Sequence, residues 1–193
     1  MSKIITYLGP MYARKSTRLL AEVEKYLLSE KKVLLVKSNW DTRYNEKVFT
    51  HNSVLFDSAT PIAENKYLTM RRVEMLSEIA DTNQYDLIAI DEGQQFRDIY
   101  ETLLYWRNTN VCAVIIVTGL DTDYNRVIFP EIAKLLGISD YFEKLNGICM
   151  VCKKSPSIWS KIRETPSESP DNTRIIGGKE LFLAVCSHCY LIE

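Results

Sequence analysis

Apolar residues recur at two different spacings along the first 140 residues of the chain. Continuous apolar runs that end at glycine or at polar residues predict four strands: "KIITYL" (3–8), "VLLVKS" (33–38), "YDLIAIDE" (85–92) and "VCAVIIVTGLD" (111–121). Helical spacing predicts helices over 16–32, within 62–80 around "RRVEMLSEIA", over 99–109 and over 130–139. This alternation predicts an α/β fold, with a doubly wound parallel sheet and helices on both faces.

The chain changes character near residue 143. Beyond it lie two C-x-x-C pairs, and the stretch between them holds three of the six prolines together with many Ser, Thr and Asn residues. Such a composition predicts a mobile loop over 164–175, flanked by short strands. We therefore expect a larger domain over 1–142 and a small one over 143–193.

Charge and composition exclude several classes of function. The chain has 193 residues and a net charge of −1, so it has no global attraction for nucleic acid or for an acidic membrane. No apolar run approaches the roughly 20 residues that span a bilayer. The N-terminal "MSKIITYLG" lacks the regions of a signal peptide. We expect a cytoplasmic protein that binds neither nucleic acid nor membrane.

Five cysteines are present, and four of them are paired. Cys112 lies within a predicted strand and is expected to be a small buried hydrophobe. The others, Cys149 with Cys152 and Cys186 with Cys189, form C-x-x-C pairs separated by 33 residues. In a reducing compartment such pairs indicate a metal site before disulfides. Four thiolates suit a structural zinc ion with no open position; the alternative is four unrelated buried cysteines.

The segment "GPMYARKST" (9–17) follows the first predicted strand and precedes a predicted helix. That context suits a phosphate-binding loop, in which backbone N–H groups, a Lys and a hydroxyl hold phosphates and Mg²⁺. Arg14 occupies the place of the second glycine in this motif. The alternative is an ordinary strand–turn–helix. The candidate phosphate-binding residues are Gly9, Pro10, Met11, Tyr12, Ala13, Arg14, Lys15, Ser16 and Thr17.

The third predicted strand ends in two acids, within "LIAIDEGQQF". An acid at the carboxyl end of such a strand resembles a Walker-B arrangement, so Asp91 is a candidate near Mg²⁺ and the donor phosphates. Glu92 is a candidate general base for a substrate hydroxyl. The alternative is a solvated strand end, because acids are common there.

A polar stretch, "DTRYNEKVFTHN", holds Asp41, Arg43 and His51. A magnesium ligand and a phosphate-facing arginine are possible roles. From these residues alone, a solvated loop is the favoured interpretation.

Taken in order, several motifs resemble one family: "GPMYARKST", "DTRYN", "FTHN", "IDEGQQF", "GLDTDYNRVIFP", "CMVC" and "GGKELFLAVCSHC". Together they are similar to type II thymidine kinases, the zinc-containing cellular and viral class. The resemblance implies a P-loop NTPase-like domain and a zinc-ribbon lasso, with ATP-dependent phosphorylation of the thymidine 5′-hydroxyl. It assigns the donor phosphates to Lys15 and Ser16, Mg²⁺ to Ser16 and Asp41, the phosphate side to Arg43 and general-base catalysis to Glu92.

The resemblance also implies a nucleoside pocket and partners. Apolar and aromatic side chains enclose thymine, and the lasso closes over it through backbone contacts. The residues implied are Met11, Glu92, Leu120, Tyr124, Phe129, Ile175, Ile176, Gly177 and Phe182. ATP, thymidine and dTTP as feedback inhibitor are the implied ligands, with deoxyuridine as a further substrate, and a homotetramer is the implied assembly.

Three residues depart from the family pattern: Arg14, Gln95 and Phe182. Gln95 stands where an aromatic residue packs on the base, and Phe182 where a tyrosine often lies. Because of Arg14, a kinase-like protein with weak or lost activity that still binds nucleoside or nucleotide is an alternative. A zinc-ribbon nucleic-acid module is disfavoured, since the segment around the cysteines lacks a dense Lys/Arg patch with interleaved aromatic residues.

Overall fold

The fold is known from a computed structural model, which describes residues 2–40, 65–109, 114–163, 178 and 180–192. Within these ranges, six strands and three α-helices extend as far as residue 144 and are followed by a region of short strands with one short helix. The elements are β1 (Lys3–Leu8), α1 (Lys15–Leu28), β2 (Val33–Ser38), β3 (Leu68–Val73), β4 (Leu87–Ile90), α2 (Ile99–Asn108), β5 (Val114–Gly119), α3 (Pro130–Leu136), β6 (Tyr141–Lys144), β7 (Gly147–Ile148), β8 (Pro156–Ser157), β9 (Trp159–Ile162), β10 (Phe182–Val185) and α4 (Ser187–Leu191).

Six strands form one sheet in the order β3-β2-β4-β5-β1-β6, and every neighbouring pair is parallel. The predicted α/β fold is therefore confirmed. Because parallel strands point the same way, the segments that follow β1, β2, β4 and β5 meet at a single edge of the sheet. Within the described ranges, no helix is both long and apolar enough to cross a bilayer.

Helices cover both faces of the sheet, as predicted. Successive residues of a strand point to opposite faces, so Leu34 and Val36 lie in one hydrophobic cluster and Val33 and Leu35 in another. The first cluster includes residues of α2 and α3, and the second includes the buried stripe of α1. Strands buried on both faces explain the continuous apolar runs in the sequence.

The helix predicted within 62–80 is wrong over its described part. Residues 68–73 form β3, which pairs with β2 along its whole length, and only a short 3₁₀ turn follows at Leu76–Glu78. Apolar Val73, Leu76 and Ile79 do recur at helical spacing, but hydrogen bonding to a neighbouring strand outweighs local propensity. The Asp98 carboxylate accepts the N–H groups of Leu76 and Ser77 at 3.1 and 2.8 Å, which holds the turn in place.

β6 is an edge strand that the apolar pattern did not predict. It pairs with β1 on one side, and Tyr141 and Phe142 remain exposed. The proposed domain boundary between residues 142 and 143 falls inside this strand. The division into two domains stays a prediction.

The described residues after β6 form a small region of four short strands and one short helix. β7 pairs with β8, and β9 pairs with β10, both in antiparallel fashion. The expected short strands therefore flank the segment 164–175, which itself lies outside the described residues. One cysteine pair follows β7, and the other lies at the start of α4.

Asp140 joins the start of β1 to the link between α3 and β6. Its carboxylate accepts the N–H of Ile4 at 2.8 Å and the Arg107 guanidinium at 2.8 Å. The backbone hydrogen bond from Ile4 holds the pKa of Asp140 below its ordinary value; burial opposes this effect, and Arg107 reinforces it.

We expect Asp140→Ala to lower the free energy of unfolding by about 1 kcal/mol at neutral pH, a value discounted because the carboxylate is a third exposed. A depressed folded-state pKa gives stability that is present above the unfolded value of 3.8 and is lost as pH falls through the folded value. Urea unfolding at pH 7 and pH 3 tests this. Glu131→Ala, which removes an exposed ion pair, is the control. A difference that stayed constant down to pH 3 would contradict the prediction.

Candidate functional site

The segment after β1 has the backbone geometry of an anion-binding loop. Gly9 has φ +148°, and a Cβ there would lie 2.3 Å from the carbonyl oxygen of Leu145. Tyr12 and Arg14 are both left-handed, each with φ 60°. The loop leads directly into the N-terminus of α1, where the N–H groups of the first turn and the helix dipole favour negative charge.

Lys15 begins α1 and crosses back over this loop. Its ammonium donates a hydrogen bond to the carbonyl oxygen of Pro10 at 2.8 Å, and its side chain is largely buried. A lysine held over the mouth of the loop is placed to meet phosphate oxygens that enter it. The predicted candidates from Gly9 to Thr17 therefore form one continuous loop and helix start.

Arg14 takes the conformation that the missing glycine would adopt. Its φ and ψ are 60° and 27°, its side chain is exposed, and its carbonyl accepts the N–H of Arg18 at 2.9 Å to begin α1. The side chain therefore points to solvent, and the backbone of the loop keeps its shape at a cost of about 1–2 kcal/mol for a left-handed residue.

We expect Arg14→Gly to leave kcat within about threefold of wild type, because a solvent-directed side chain does not occupy the phosphate site. The free energy of unfolding changes by less than about 1 kcal/mol, since relief of the left-handed strain is offset by glycine's larger entropy loss. Steady-state kinetics and urea unfolding measure the two effects, with Arg14→Ala as the variant that keeps the Cβ. A tenfold or greater rise in kcat for Arg14→Gly would instead identify Arg14 as the cause of weak activity.

Asp91 is the centre of a hydrogen-bonded cluster at the end of β4. Its Oδ1 atom accepts the Ser16 hydroxyl at 3.1 Å, the Thr118 hydroxyl at 2.9 Å and the Glu92 N–H at 3.2 Å. The Lys37 ammonium lies 3.8 Å from Oδ2. The structure therefore brings together Ser16, Asp91 and Glu92, three residues that the sequence assigned to phosphate, Mg²⁺ and proton transfer.

The charge on Asp91 is held in a low-dielectric position. Burial raises the pKa of Asp91 above its ordinary value, and the neighbouring Glu92 carboxylate raises it further, while Lys37, Thr118 and Ser16 act in the opposite direction. Burial is the larger effect. A divalent cation bound beside Asp91 would favour its ionised form, so the donors Ser16 and Asp91 suit Mg²⁺.

Glu92 has a left-handed backbone, with φ 53° and ψ 51°. This conformation turns the chain sharply between β4 and a 3₁₀ turn at Gly93–Gln95. The Gln94 amide donates to the Glu92 carboxylate at 2.6 Å, so this carboxylate is held at the same edge as the phosphate loop. Gln95, which departs from the family pattern, is half-buried in that turn.

Three of the residues predicted to enclose thymine lie in the segment after β5. A bridge between Thr122 and Ile128 closes a loop that contains Tyr124, while Leu120 and Phe129 lie just before and just after this bridge. Phe129 also packs against the main hydrophobic cluster. Direct contact of these side chains with a nucleoside stays a prediction.

The region from β7 to α4, which carries the paired cysteines, forms hydrogen bonds with both the phosphate loop and the loop that contains Tyr124. The N–H of Met11 donates to the Ser160 hydroxyl of β9 at 3.1 Å. From α4, the Tyr190 hydroxyl donates to the carbonyl oxygen of Tyr124 at 2.6 Å. The Lys144 ammonium contacts the Asp121 carboxylate at 2.6 Å.

The other predicted residues are placed differently. Phe182 lies in β10 with its side chain buried, so its contact with a nucleoside stays a prediction. The remaining predicted positions lie outside the described residues: Asp41, Arg43, His51, Cys112, Ile175, Ile176 and Gly177.

The four paired cysteines form a compact cluster. Their sulfur atoms all lie within 4.8 Å of one another, and the sulfur atoms of Cys152 and Cys186 are 3.9 Å apart. Tetrahedral zinc with bonds of about 2.3 Å requires sulfur separations of about 3.8 Å, so the geometry is compatible with zinc. All four cysteines are free of disulfide bonds.

The cysteines of this cluster differ in the pKa of their thiols. Burial alone would raise the pKa of Cys149, but backbone N–H groups of Cys186, Cys152 and Val151 lower it to about 6. Burial and the neighbouring thiols raise the pKa of Cys189 to about 12. The pKa of Cys152 is also lowered, chiefly by the backbone N–H groups of Lys154 and Ser155. Thiols with a lowered pKa form thiolates readily, and thiolates are the form that binds a metal cation.

Sequence reasoning missed three polar residues around Asp91 and Glu92. Lys37 could have been singled out from the sequence, because it is a lysine near the end of the apolar run "VLLVKS". In the structure only 6% of its surface is exposed. Gln94 lies inside the quoted motif "IDEGQQF" but had no role assigned. Thr118 gave no signal, because a threonine in a strand is ordinary.

Comparison with known proteins gives one consistent result. The sequence model described as "TK: Thymidine kinase" matches residues 2–190. The chain is 36% identical over 184 residues to a thymidine kinase of Myxoma virus (strain Lausanne), covering 95% of this chain and 93% of that protein. It is 33% identical to one of Raccoon poxvirus (96% and 95% covered) and 32% identical to one of Sheeppox virus (strain KS-1; 96% and 95% covered). The resemblance deduced from the motifs is confirmed, and the chain belongs to the thymidine kinase family.

Proposed function

We propose that this protein is a thymidine kinase that transfers the γ-phosphate of ATP to the 5′-hydroxyl of thymidine. The observation that carries the proposal is the cluster at the carboxyl edge of the sheet, where Asp91 bonds to Ser16 of the phosphate loop and is followed directly by Glu92. Family membership supports the substrate, since the relatives named above are thymidine kinases.

Each residue of the cluster has a role in phosphoryl transfer. The N–H groups of the loop and the Lys15 ammonium bind the donor phosphates. Ser16 and Asp91, together with Asp41, would hold Mg²⁺, which neutralises charge on the β- and γ-phosphate oxygens when bound. Arg43 would lie on the phosphate side of the site. Glu92 accepts the proton of the 5′-hydroxyl as that oxygen attacks phosphorus in line.

The residues of the nucleoside pocket are proposed from the resemblance to the family. We assign thymine contacts to Met11, Leu120, Tyr124 and Phe129, with the lasso residues 175–177 and Phe182 closing over the base. Half-burial of Met11, Leu120, Tyr124 and Phe129 supports this, because such side chains retain surface for a ligand. Deoxyuridine, which lacks only the 5-methyl group of the base, would be a further substrate.

The proposal extends to cofactors and partners. A structural zinc ion bound by the four cysteines is supported by their donor set and separations. Feedback inhibition by dTTP, assembly as a homotetramer and location in the cytoplasm are proposed from the family. Location in a reducing compartment also suits a cluster of four free thiols.

Radiolabelled phosphoryl transfer tests the proposed function. Wild-type protein, ATP and Mg²⁺ are expected to convert thymidine to its monophosphate, while Lys15→Ala is expected to lose most of this activity. Turnover no greater than that of Lys15→Ala would overturn the proposal. Calorimetric titration of the same protein with thymidine and dTTP would then show whether it binds nucleosides without phosphorylating them.

A further inference from the structure

One buried amide joins the candidate general base to the loop after β5. The Gln94 side chain is only 7% exposed. Its Nε2 atom donates to Oε2 of Glu92 at 2.6 Å, and its Oε1 atom accepts the N–H of Leu120 at 2.9 Å. A single side chain therefore spans the ends of β4 and β5.

The orientation of this amide follows from its partners. The main-chain N–H of Leu120 can only donate, so the oxygen of the Gln94 amide must face it. The NH₂ group is then directed at the Glu92 carboxylate, which accepts in its ionised form. A donor at this position favours the charged carboxylate, which is the form that can accept a proton.

Gly119 provides the space that the amide occupies. A Cβ on Gly119 would lie 2.6 Å from Oε1 of Gln94 and 3.2 Å from the N atom of Gly93. The side chain of Gln94 thus packs directly against the backbone of β5. It cannot turn without losing the hydrogen bond to Leu120.

We propose that Gln94 is a positioning residue, which aims the Glu92 carboxylate and couples it to the loop that carries Leu120. This inference rests on the proposed function, since it assigns Glu92 as the base and that loop to the nucleoside. Movement of the loop on nucleoside binding is transmitted through the amide to Glu92. Gln94 itself contacts neither phosphate nor the reacting hydroxyl.

Two substitutions separate the two hydrogen bonds of Gln94. Gln94→Glu has the same shape and keeps an acceptor for Leu120, but it replaces the donor to Glu92 with a second carboxylate. We expect the thymidine KM to stay within about threefold, kcat to fall by about 10–100-fold, and the acid limb of the pH profile of kcat/KM to move up by about one pH unit. Gln94→Ala loses both bonds, so kcat falls similarly and the thymidine KM rises as well.

Gly119→Ala tests the packing through a double-mutant cycle. The added methyl group displaces the amide, so this variant should lower kcat in the wild-type background. In the Gln94→Ala background its further effect on kcat should be smaller, because the severe clash with Oε1 of Gln94 is absent and only the tight contact with the N atom of Gly93 remains. Additive losses in kcat would overturn the coupling of these positions.

A matched control lies at the opposite end of β4. Gln84 also donates an amide hydrogen bond to a carboxylate, that of Asp81, but at the amino end of the strand. Gln84→Glu should leave kcat, KM and the pH profile unchanged. Circular dichroism and thermal unfolding show which variants fold. If only one of the two Gln94 variants folds, its kinetics are sufficient to test the proposal.

The outcomes separate the two proposals. Wild-type protein without thymidine phosphorylation would overturn the proposed function, and the role of Gln94 with it. An active wild type, with a Gln94→Glu variant of normal kcat and unshifted pH profile, would overturn the role of Gln94 alone. A loss of kcat with an unshifted profile and a collapsed melting temperature would show Gln94 to be merely structural, which also overturns it.

Discussion

Replacing Glu92 by glutamine is expected to lower kcat for thymidine phosphorylation by about 10²–10⁴, the usual contribution of a general base. The substitution keeps the size of the side chain and removes its ability to accept a proton. Glu92 is the acid next to Asp91, and its carboxylate is held at 2.6 Å by the Gln94 amide. Removing the negative charge also leaves two amides facing each other at that hydrogen bond.

Single-turnover measurements with saturating ATP and Mg²⁺ measure this effect on the chemical step. The thymidine KM should change much less than kcat, because the lost interaction is made chiefly in the transition state. Glu131→Gln, in the first turn of α3, is the matched control and should retain full activity. A rate for Glu92→Gln within threefold of wild type would assign proton acceptance to another group.

Loss of the proposed zinc ion from the cysteine cluster is the second large effect expected. Cys186→Ser removes one of four cysteine sulfur atoms that lie within 4.8 Å of one another. Structural zinc contributes folding free energy directly, on the order of 10 kcal/mol in isolated zinc fingers. Here the six-stranded sheet has its own hydrophobic clusters, so we expect the region from β7 to α4 to unfold locally while the sheet persists.

The loss should reach the active site through specific contacts. α4 begins at Ser187, between the last two cysteines, and its Tyr190 holds the carbonyl of Tyr124. We expect kcat/KM for thymidine to fall at least about tenfold in Cys186→Ser, because the loop that carries Tyr124 loses this support.

Metal analysis, limited proteolysis and kinetics together test this second prediction. Wild-type protein should contain one zinc ion per chain, and Cys112→Ala, which changes the cysteine that belongs to neither C-x-x-C pair, should retain it. Cys186→Ser should be cleaved between residues 147 and 191 while the six-stranded sheet resists protease. Substoichiometric zinc in carefully purified wild-type protein would refute the four-thiolate site.

Much of the fold was predictable, because each buried strand carries its own signal. β1 and β2 begin and end where the apolar runs "KIITYL" and "VLLVKS" do. The two edge strands were not predictable in this way. β3 and β6 are each covered by a strand on one side only, so their residues are mixed in polarity and resemble a helix or a loop.

The residues of the candidate site were likewise only partly predictable from the sequence. Loop 9–17, Asp91, Glu92 and the cysteine pairs are recognisable because short segments with fixed spacing perform the chemistry. Lys37 and Thr118 reach Asp91 from other strands, so the contacts that assign them a role depend on strand order.

The sequence by itself determined the α/β class, the order of the phosphate loop and the acids, and the four-cysteine set, because periodicity and motif spacing are local properties of a chain. The tertiary structure alone decided that Arg14 points to solvent, that Gln94 links Glu92 to Leu120, and that Tyr190 holds Tyr124. The two contacts join residues up to 66 positions apart in the sequence. Which residues meet there depends on how the strands pair and the loops pack.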